Sequence, residues 1–118
     1  MQNYNEVEIE DSYIYYYLND KRHRTDGPAV IIYYQNGQVG CERYFLNGKC
    51  HRTDGPAYIG YYQSGQLSSE YYLLNGERHR TDGPAYIGYY PDGSIYCEQY
   101  WLNGKKLTKT EFQNYAKL

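Results

Sequence analysis

At 118 residues, with 12 Lys and Arg against 14 Asp and Glu, the chain is one near-neutral domain with a net charge of −2. That balance and the lack of a long basic run argue against a general nucleic-acid or anionic-membrane binder, and no stretch reaches the roughly 18 apolar residues of a membrane span. Hydrophobic residues make up 41%, but 19 of them are Tyr, with only two Phe and one Trp. Such a chain builds a half-buried aromatic surface more readily than a dry core, because each hydroxyl needs a partner or water.

Residues 1–12 are acidic and carry no apolar stretch, so they read as a lead-in strand or tail and not as a secretory signal. From residue 13 to 106 the chain repeats itself. The heptapeptide His-Arg-Thr-Asp-Gly-Pro-Ala starts at His23, His51 and His79, each 28 residues after the last, without a change. A fixed period of this length marks a repeat architecture. In the same register, Tyr33-Tyr34, Tyr61-Tyr62 and Tyr89-Tyr90 precede turns at Asn36-Gly37, Ser64-Gly65 and Asp92-Gly93. Leu46-Asn47-Gly48, Leu74-Asn75-Gly76 and Leu102-Asn103-Gly104 follow, with Leu18-Asn19-Asp20 as a degenerate first copy. Asn-Gly and Asp-Gly between alternating runs predict two-residue type I′ hairpins.

With Asn36-Gly37 as such a loop, Tyr34 opposes Val39, Ile32 opposes Cys41 and Ile31 opposes Glu42. One face then carries Val39, Cys41, Arg43 and Phe45 with Val30, Ile32 and Tyr34. Its counterparts are Leu67, Ser69, Tyr71 and Leu73, then Ile95, Cys97, Gln99 and Trp101. The other face carries Glu42 and Tyr44, Glu70 and Tyr72, Glu98 and Tyr100. The first face is the more apolar and is expected to be the better buried. Each heptapeptide, with a Pro that cannot donate and a Gly that permits a tight bend, predicts a bulged corner or short loop, with Gly55 at positive φ and Asp54 accepting from backbone N–H groups or from Arg52.

In residues 107–118 the heptapeptide gives way to a capping box, Thr108 with Glu111, and to Phe112, Tyr115 and Ala116 at helical spacing. This predicts a short helix that covers the last repeat near Trp101, as a terminal repeat requires. The fold class expected is therefore all-β: a single-layer antiparallel β-meander of about three 28-residue repeats with a short C-terminal capping helix.

The three Cys read as reduced thiols of a cytoplasmic protein. Cys41 and Cys97, two repeats apart, lie roughly 19 Å from each other on a regular ladder, and Cys50 fills the slot of Arg22 and Arg78. Equivalent His residues fall roughly 9.6 Å apart, too far for one metal ion, so neither metal nor cofactor is expected. His51 opposite Tyr44 and diagonal to Glu42, and likewise His79 with Tyr72 and Glu70, form a set that could relay protons. A polar ladder satisfying hydroxyls across strands is the simpler account. Arg24, Arg52 and Arg80 each have an Asp two residues on to neutralise them.

The units Tyr-Tyr-x-x-Gly, a Glu two residues before a Tyr, and Leu-Asn-Gly-Lys or a close variant resemble the MORN-type repeat, in the form found in bacterial, phage and large-virus proteins described as antitoxin-like. Residues Tyr61-Tyr62-Gln63-Ser64-Gly65 through Glu70, Tyr72 and Leu74-Asn75-Gly76 carry the likeness. The inserted heptapeptide and the sparser glycines depart from the usual unit. The resemblance implies an elongated single-layer sheet used as a binding surface, and a chain that blocks an effector protein.

The residues thus favour a non-enzymatic protein-binding module. Its candidate contact residues are Tyr58, Tyr62, Tyr86 and Tyr90, where Gly60 and Gly88 leave notches, with Arg52 and Arg80. Two alternatives are a binder of a nucleotide or other small anion through the Arg and His rows, and a hydrolase or nuclease using Glu70, His79 and Tyr72. Partner identity and oligomeric state are left open.

Overall fold

The computed structural model describes residues 3–117. In chain order the strands are β1 (Glu6–Glu10), β2 (Tyr13–Leu18), β3 (Lys21–Arg22), β4 (Val30–Tyr33), β5 (Val39–Arg43), β6 (Phe45–Leu46), β7 (Lys49–Cys50), β8 (Tyr58–Tyr61), β9 (Leu67–Tyr71), β10 (Leu73–Leu74), β11 (Glu77–Arg78), β12 (Tyr86–Tyr89), β13 (Ile95–Leu102) and β14 (Lys105–Leu107), followed by helix α1 (Lys109–Ala116). The main sheet runs β1-β2-β4-β5-β8-β9-β12-β13-β14 with antiparallel neighbours, and is an open meander with local connections. The expected all-β architecture with a short C-terminal helix is what forms.

Each repeat forks at a tyrosine. Arg43 pairs with Tyr58 across the sheet, but Phe45 pairs with Cys50 in the β6–β7 hairpin. Tyr44 sits at the branch, donating its N–H to the Ala57 carbonyl and accepting from the His51 N–H. Tyr72 repeats the pattern with Ala85 and His79. The heptapeptide is the chain that returns from the hairpin to the sheet. It is a loop between two strands, held at both ends by backbone bonds.

The two kinds of turn differ. Asn47 and Gly48 both have positive φ, 51° and 83°, as do Asn75–Gly76 and Asn103–Gly104, so these are the expected type I′ loops. Asn19 and Asp20, at 51° and 67°, make the first copy a type I′ loop as well. At Asn36-Gly37 the two-residue reading is corrected. Only Gly37 has positive φ, the Gly37 N–H donates to Tyr34, and the Tyr34 N–H donates to Gln38, which leaves a three-residue loop. A second irregularity then restores the register. Tyr33 pairs with Val39 but Ile32 with Cys41, so Gly40 is the extra residue, and Ser68 and Tyr96 are its counterparts. A slip of one residue reverses a side chain's face. Val39, Leu67 and Ile95 therefore leave the face on which alternation placed them, and Gly40, Ser68 and Tyr96 take their side.

No single face is buried, which corrects the expectation of one better-covered side. Val30 and Cys41 are buried on the face of Arg43, here called the tyrosine face. Ala29, Ala57, Ala85 and Ile87 are buried on the opposite, seam face. A single layer has no second sheet to pack against, so the buried positions are those hemmed in by neighbours on their own face. Tyr16, Tyr44 and Tyr72 flank the three fully covered alanines.

The helix begins at a complete capping box: Thr108 Oγ1 accepts from the Glu111 N–H, and Glu111 accepts from the Thr108 N–H. Its buried residue is Phe112, whose ring lies 4.7 Å from that of Tyr100. Tyr100 is on the seam face, so the cap covers the side opposite to Trp101, contrary to expectation. Trp101 lies beneath Arg78 instead, at 4.9 Å. Phe112→Ala should lower stability by about 2 kcal/mol, the worth of one largely buried aromatic side chain, and Thr108→Ala by about 1 kcal/mol through loss of the cap. Urea midpoints read by circular dichroism would measure both, and Trp101 fluorescence should change little before global unfolding.

Candidate functional site: the heptapeptide seam and the tyrosine face

On the seam face every residue of the heptapeptide but the exposed Thr has a defined role. His23 Nδ1 accepts the Asn47 backbone N–H at 2.9 Å, His51 Nδ1 accepts that of Asn75, and His79 Nδ1 that of Asn103. Each imidazole thus holds the type I′ turn of the next repeat. The adjoining turn N–H groups of Gly48, Gly76 and Gly104 go to the carbonyls of Arg22, Cys50 and Arg78. Both turn donors are satisfied by the preceding repeat, as the cost of orphaned backbone groups demands.

Arg52 has three contacts at once. Its Nε donates to Asp54 at 2.9 Å, its Nη1 donates to the Pro56 carbonyl at 3.1 Å, and its guanidinium lies 4.0 Å over the Tyr44 ring. Arg24 over Tyr16 and Arg80 over Tyr72 repeat the arrangement. The arginine neighbour holds the Asp26 and Asp54 carboxyls below their usual range. Gly55 does not adopt positive φ. An added Cβ would stand 3.0 Å from the Arg52 Cζ, so the guanidinium folded over Gly55 would have to shift.

Shallow clefts of about 560 and 550 Å³ lie between successive heptapeptide loops. Each is lined by two Arg and two Asp together with one His and one Tyr. Two guanidinium nitrogens of each Arg are already engaged and the carboxylates offset the charge, so the row makes a weak anion site. Of the residues that could relay protons, Tyr72 and His79 are backbone-paired and line one cleft, which Glu70 does not line. Glu70 accepts from Tyr89 Oη, His79 binds the next turn and Tyr72 lies under Arg80. Glu42 likewise accepts from Tyr61, at 2.7 Å. Burial first, and then the carboxylate, push the Tyr61 and Tyr89 phenols well above their ordinary value. A phenol raised in the folded state stabilises fully below its unfolded pKa of about 10, and that contribution is lost as pH rises through the folded value. Among the described residues no group of three His, Cys, Asp or Glu is placed to hold a metal ion. All three Cys are free, and burial raises the Cys50 thiol to about 11.

The tyrosine face is built differently. Tyr58, Tyr71 and Tyr86 are paired across adjacent strands, with ring centroids 5.2 Å and 4.6 Å apart. Tyr13 stacks on Tyr15 at 4.3 Å, and Tyr17 meets Tyr15 edge-on. Arg43 lies over Tyr58, Arg78 over Tyr71, and Arg22 over Tyr15 and Phe45. Arg43, Phe45, Tyr58, Tyr71, Leu73 and Arg78 line an open groove of about 370 Å³. The Arg43 Nε is buried there without a hydrogen-bond partner.

Of the candidate contact residues, Tyr58, Tyr62, Tyr86 and Tyr90 all fall on this face, while Arg52 and Arg80 fall on the other. Tyr62 is tied down, its hydroxyl donating to the Tyr89 carbonyl at 2.6 Å, and Tyr34 does the same to Tyr61. Tyr90 has no following repeat and is exposed beside Tyr96. The glycine notches are filled from within. Ser68 and Ser69 close on Gly60, and Tyr86 and Tyr96 close on Gly88. Tyr71, Arg43 and Arg78 are the members that sequence reasoning missed. The register that pairs Tyr58 with Tyr71 pointed to the first, but nothing in the spacing announced the arginines as ring partners.

Family models, characterised proteins and solved structures yield no match to this chain, so the MORN-type resemblance rests on its own residues. No helix of the described residues is long and apolar enough to cross a membrane.

If the seam is the scaffold, Arg52→Lys should cost about 1–2 kcal/mol, because an ammonium cannot reproduce the fork and the stacking. His51→Ala should cost about 1 kcal/mol for one backbone N–H left to water. Native circular dichroism with lowered urea midpoints is the expected result for both.

Proposed function

We propose that the chain is a non-enzymatic protein-binding module that presents its tyrosine face to a partner. One asymmetry carries this reading. On the seam face Tyr16, Tyr44, Tyr72 and Tyr100 are each covered, by Arg24, Arg52, Arg80 and Phe112. On the tyrosine face the arginines over Tyr15, Tyr58 and Tyr71 come from strands β3, β5 and β11, not from heptapeptide loops or the helix, and Tyr58, Tyr71 and Tyr86 pack ring to ring.

Aromatic rings with few rotatable bonds and a polar tip, together with arginine, are the side chains that dominate protein interfaces. Arg43 and Arg78, stacked over Tyr58 and Tyr71, add two guanidinium groups to the same patch. The contact set is therefore Tyr58, Tyr71 and Tyr86 with Arg43 and Arg78. The MORN-type resemblance extends the reading to an inhibitor or antitoxin-like blocker of an effector protein.

A photo-reactive amino acid placed at Leu73, on the tyrosine face, should form adducts with a captured partner, and one at Ile59, on the seam face, should not. Tyr58→Ala and Tyr86→Ala should each weaken capture about tenfold, as central aromatic contacts do, while the folded spectrum is kept. Adducts from Ile59 alone would move the interface to the seam face.

A further inference from the structure

The two lateral edges of the sheet are unequal and complementary. The outer edge of β5 pairs with β8, Cys41, Glu42 and Arg43 facing Gly60, Ile59 and Tyr58. The outer edge of β9 pairs with β12 in the same way, Ser69, Glu70 and Tyr71 facing Gly88, Ile87 and Tyr86. The corresponding residues of β13 are Cys97, Glu98 and Gln99. Among the described residues no strand pairs with their outer side. They line a groove of about 450 Å³ together with Tyr100, Lys106 and Lys109.

At the far edge β1 reads Glu-Val-Glu-Ile-Glu. It pairs only with β2, and all five of its residues are exposed, Ile9 by 68%. Glu6, Glu8 and Glu10 lie opposite Tyr17, Tyr15 and Tyr13, on the tyrosine face, and Val7 and Ile9 lie on the seam face.

From this geometry we propose that a second copy of the chain docks its β1 along the open edge of β13, head to tail, and continues the sheet. Three features fit. The eight strands from β1 to β13 alternate in direction, so an incoming β1 runs antiparallel to β13, as every other neighbour does. On the seam face, glutamates 42, 70 and 98 alternate across the sheet with Ile31, Ile59 and Ile87. An Ile or Val of β1 beside Glu98 extends that row by one place. The charges also match: the three glutamates approach the face that carries Lys106, opposite Trp101, with Lys109 lining the same groove, while Glu98 faces the apolar side of β1. Like charge discourages the same glutamates from pairing β1 with β1, which leaves the heterologous contact. Such a contact does not close on itself by a two-fold axis and grows into rings or filaments. It stands independently of what the tyrosine face binds.

Sedimentation velocity on the full chain tests the proposal. The wild type should associate increasingly up to about 1 mM, in the range of weak interfaces. Raising salt from about 0.05 M to about 0.5 M should weaken association severalfold, as screening requires. Glu6→Lys with Glu10→Lys, which leaves the Tyr13 partner Glu8 in place, should weaken it about tenfold, and so should Lys106→Glu with Lys109→Glu. An equimolar mixture of the two double variants should regain association, since each then offers the charge the other lacks. A wild type that stays monomeric at about 1 mM would overturn the proposal. So would association indifferent to both reversals, or two folded variants whose mixture fails to recover it.

Discussion

The structure depends on one requirement: the type I′ turn of each repeat exposes two backbone N–H groups, and the preceding repeat must supply acceptors for them. An imidazole Nδ1 and a strand carbonyl meet that need three times, at Asn47–Gly48, Asn75–Gly76 and Asn103–Gly104. For Nδ1 to accept, its ring must be neutral with the proton on Nε2. The first turn has no histidine before it, and there the Asn5 side chain accepts the Asn19 N–H at 3.2 Å. At the other end Phe112 takes over on Tyr100 the covering place that Arg24, Arg52 and Arg80 hold on their tyrosines. The two caps are thus chemical substitutes for the missing halves of a heptapeptide, one replacing the acceptor and the other the stacked cation.

This arrangement explains how a chain with so few aliphatic residues holds a sheet without a second layer. Arginine over tyrosine gives a flat, well-packed contact at the surface, where a guanidinium keeps its hydrogen bonds to Asp and to a carbonyl while its plane covers the ring. The seam therefore stabilises the fold through polar and cation–π contacts repeated at one spacing. The alanines Ala29, Ala57 and Ala85 on the same face are fully buried.

The repeat length, the meander, the type I′ loops and the capping box could all be read from the sequence, because each depends on local chemistry within a few residues. The face assignments could be read only in part. Asn36-Gly37 carries the same dipeptide as Asn47-Gly48, but it closes a three-residue loop, and the compensating extra residue at Gly40 reverses Val39 to the other face. Nothing in the local pattern signals that compensation. The role of the histidine was hidden for a different reason. Its partner lies 24 residues away in the next repeat, and pairing within one hairpin pointed instead to Tyr44 and Glu42. Gly55 invited a backbone explanation because a sequence does not show that the Arg52 side chain, three residues before it, folds back over it.

Because no seam contact reaches beyond the next repeat, the ends and the middle are separable parts. Asn5 and Phe112 would serve a chain of two units or of six equally well. Each inserted 28-residue unit would lengthen the face by two strands, roughly 9.6 Å, without asking any existing contact to change. The molecule can accordingly be regarded as a ruler, with its graduations set by an imidazole and its reach set by copy number.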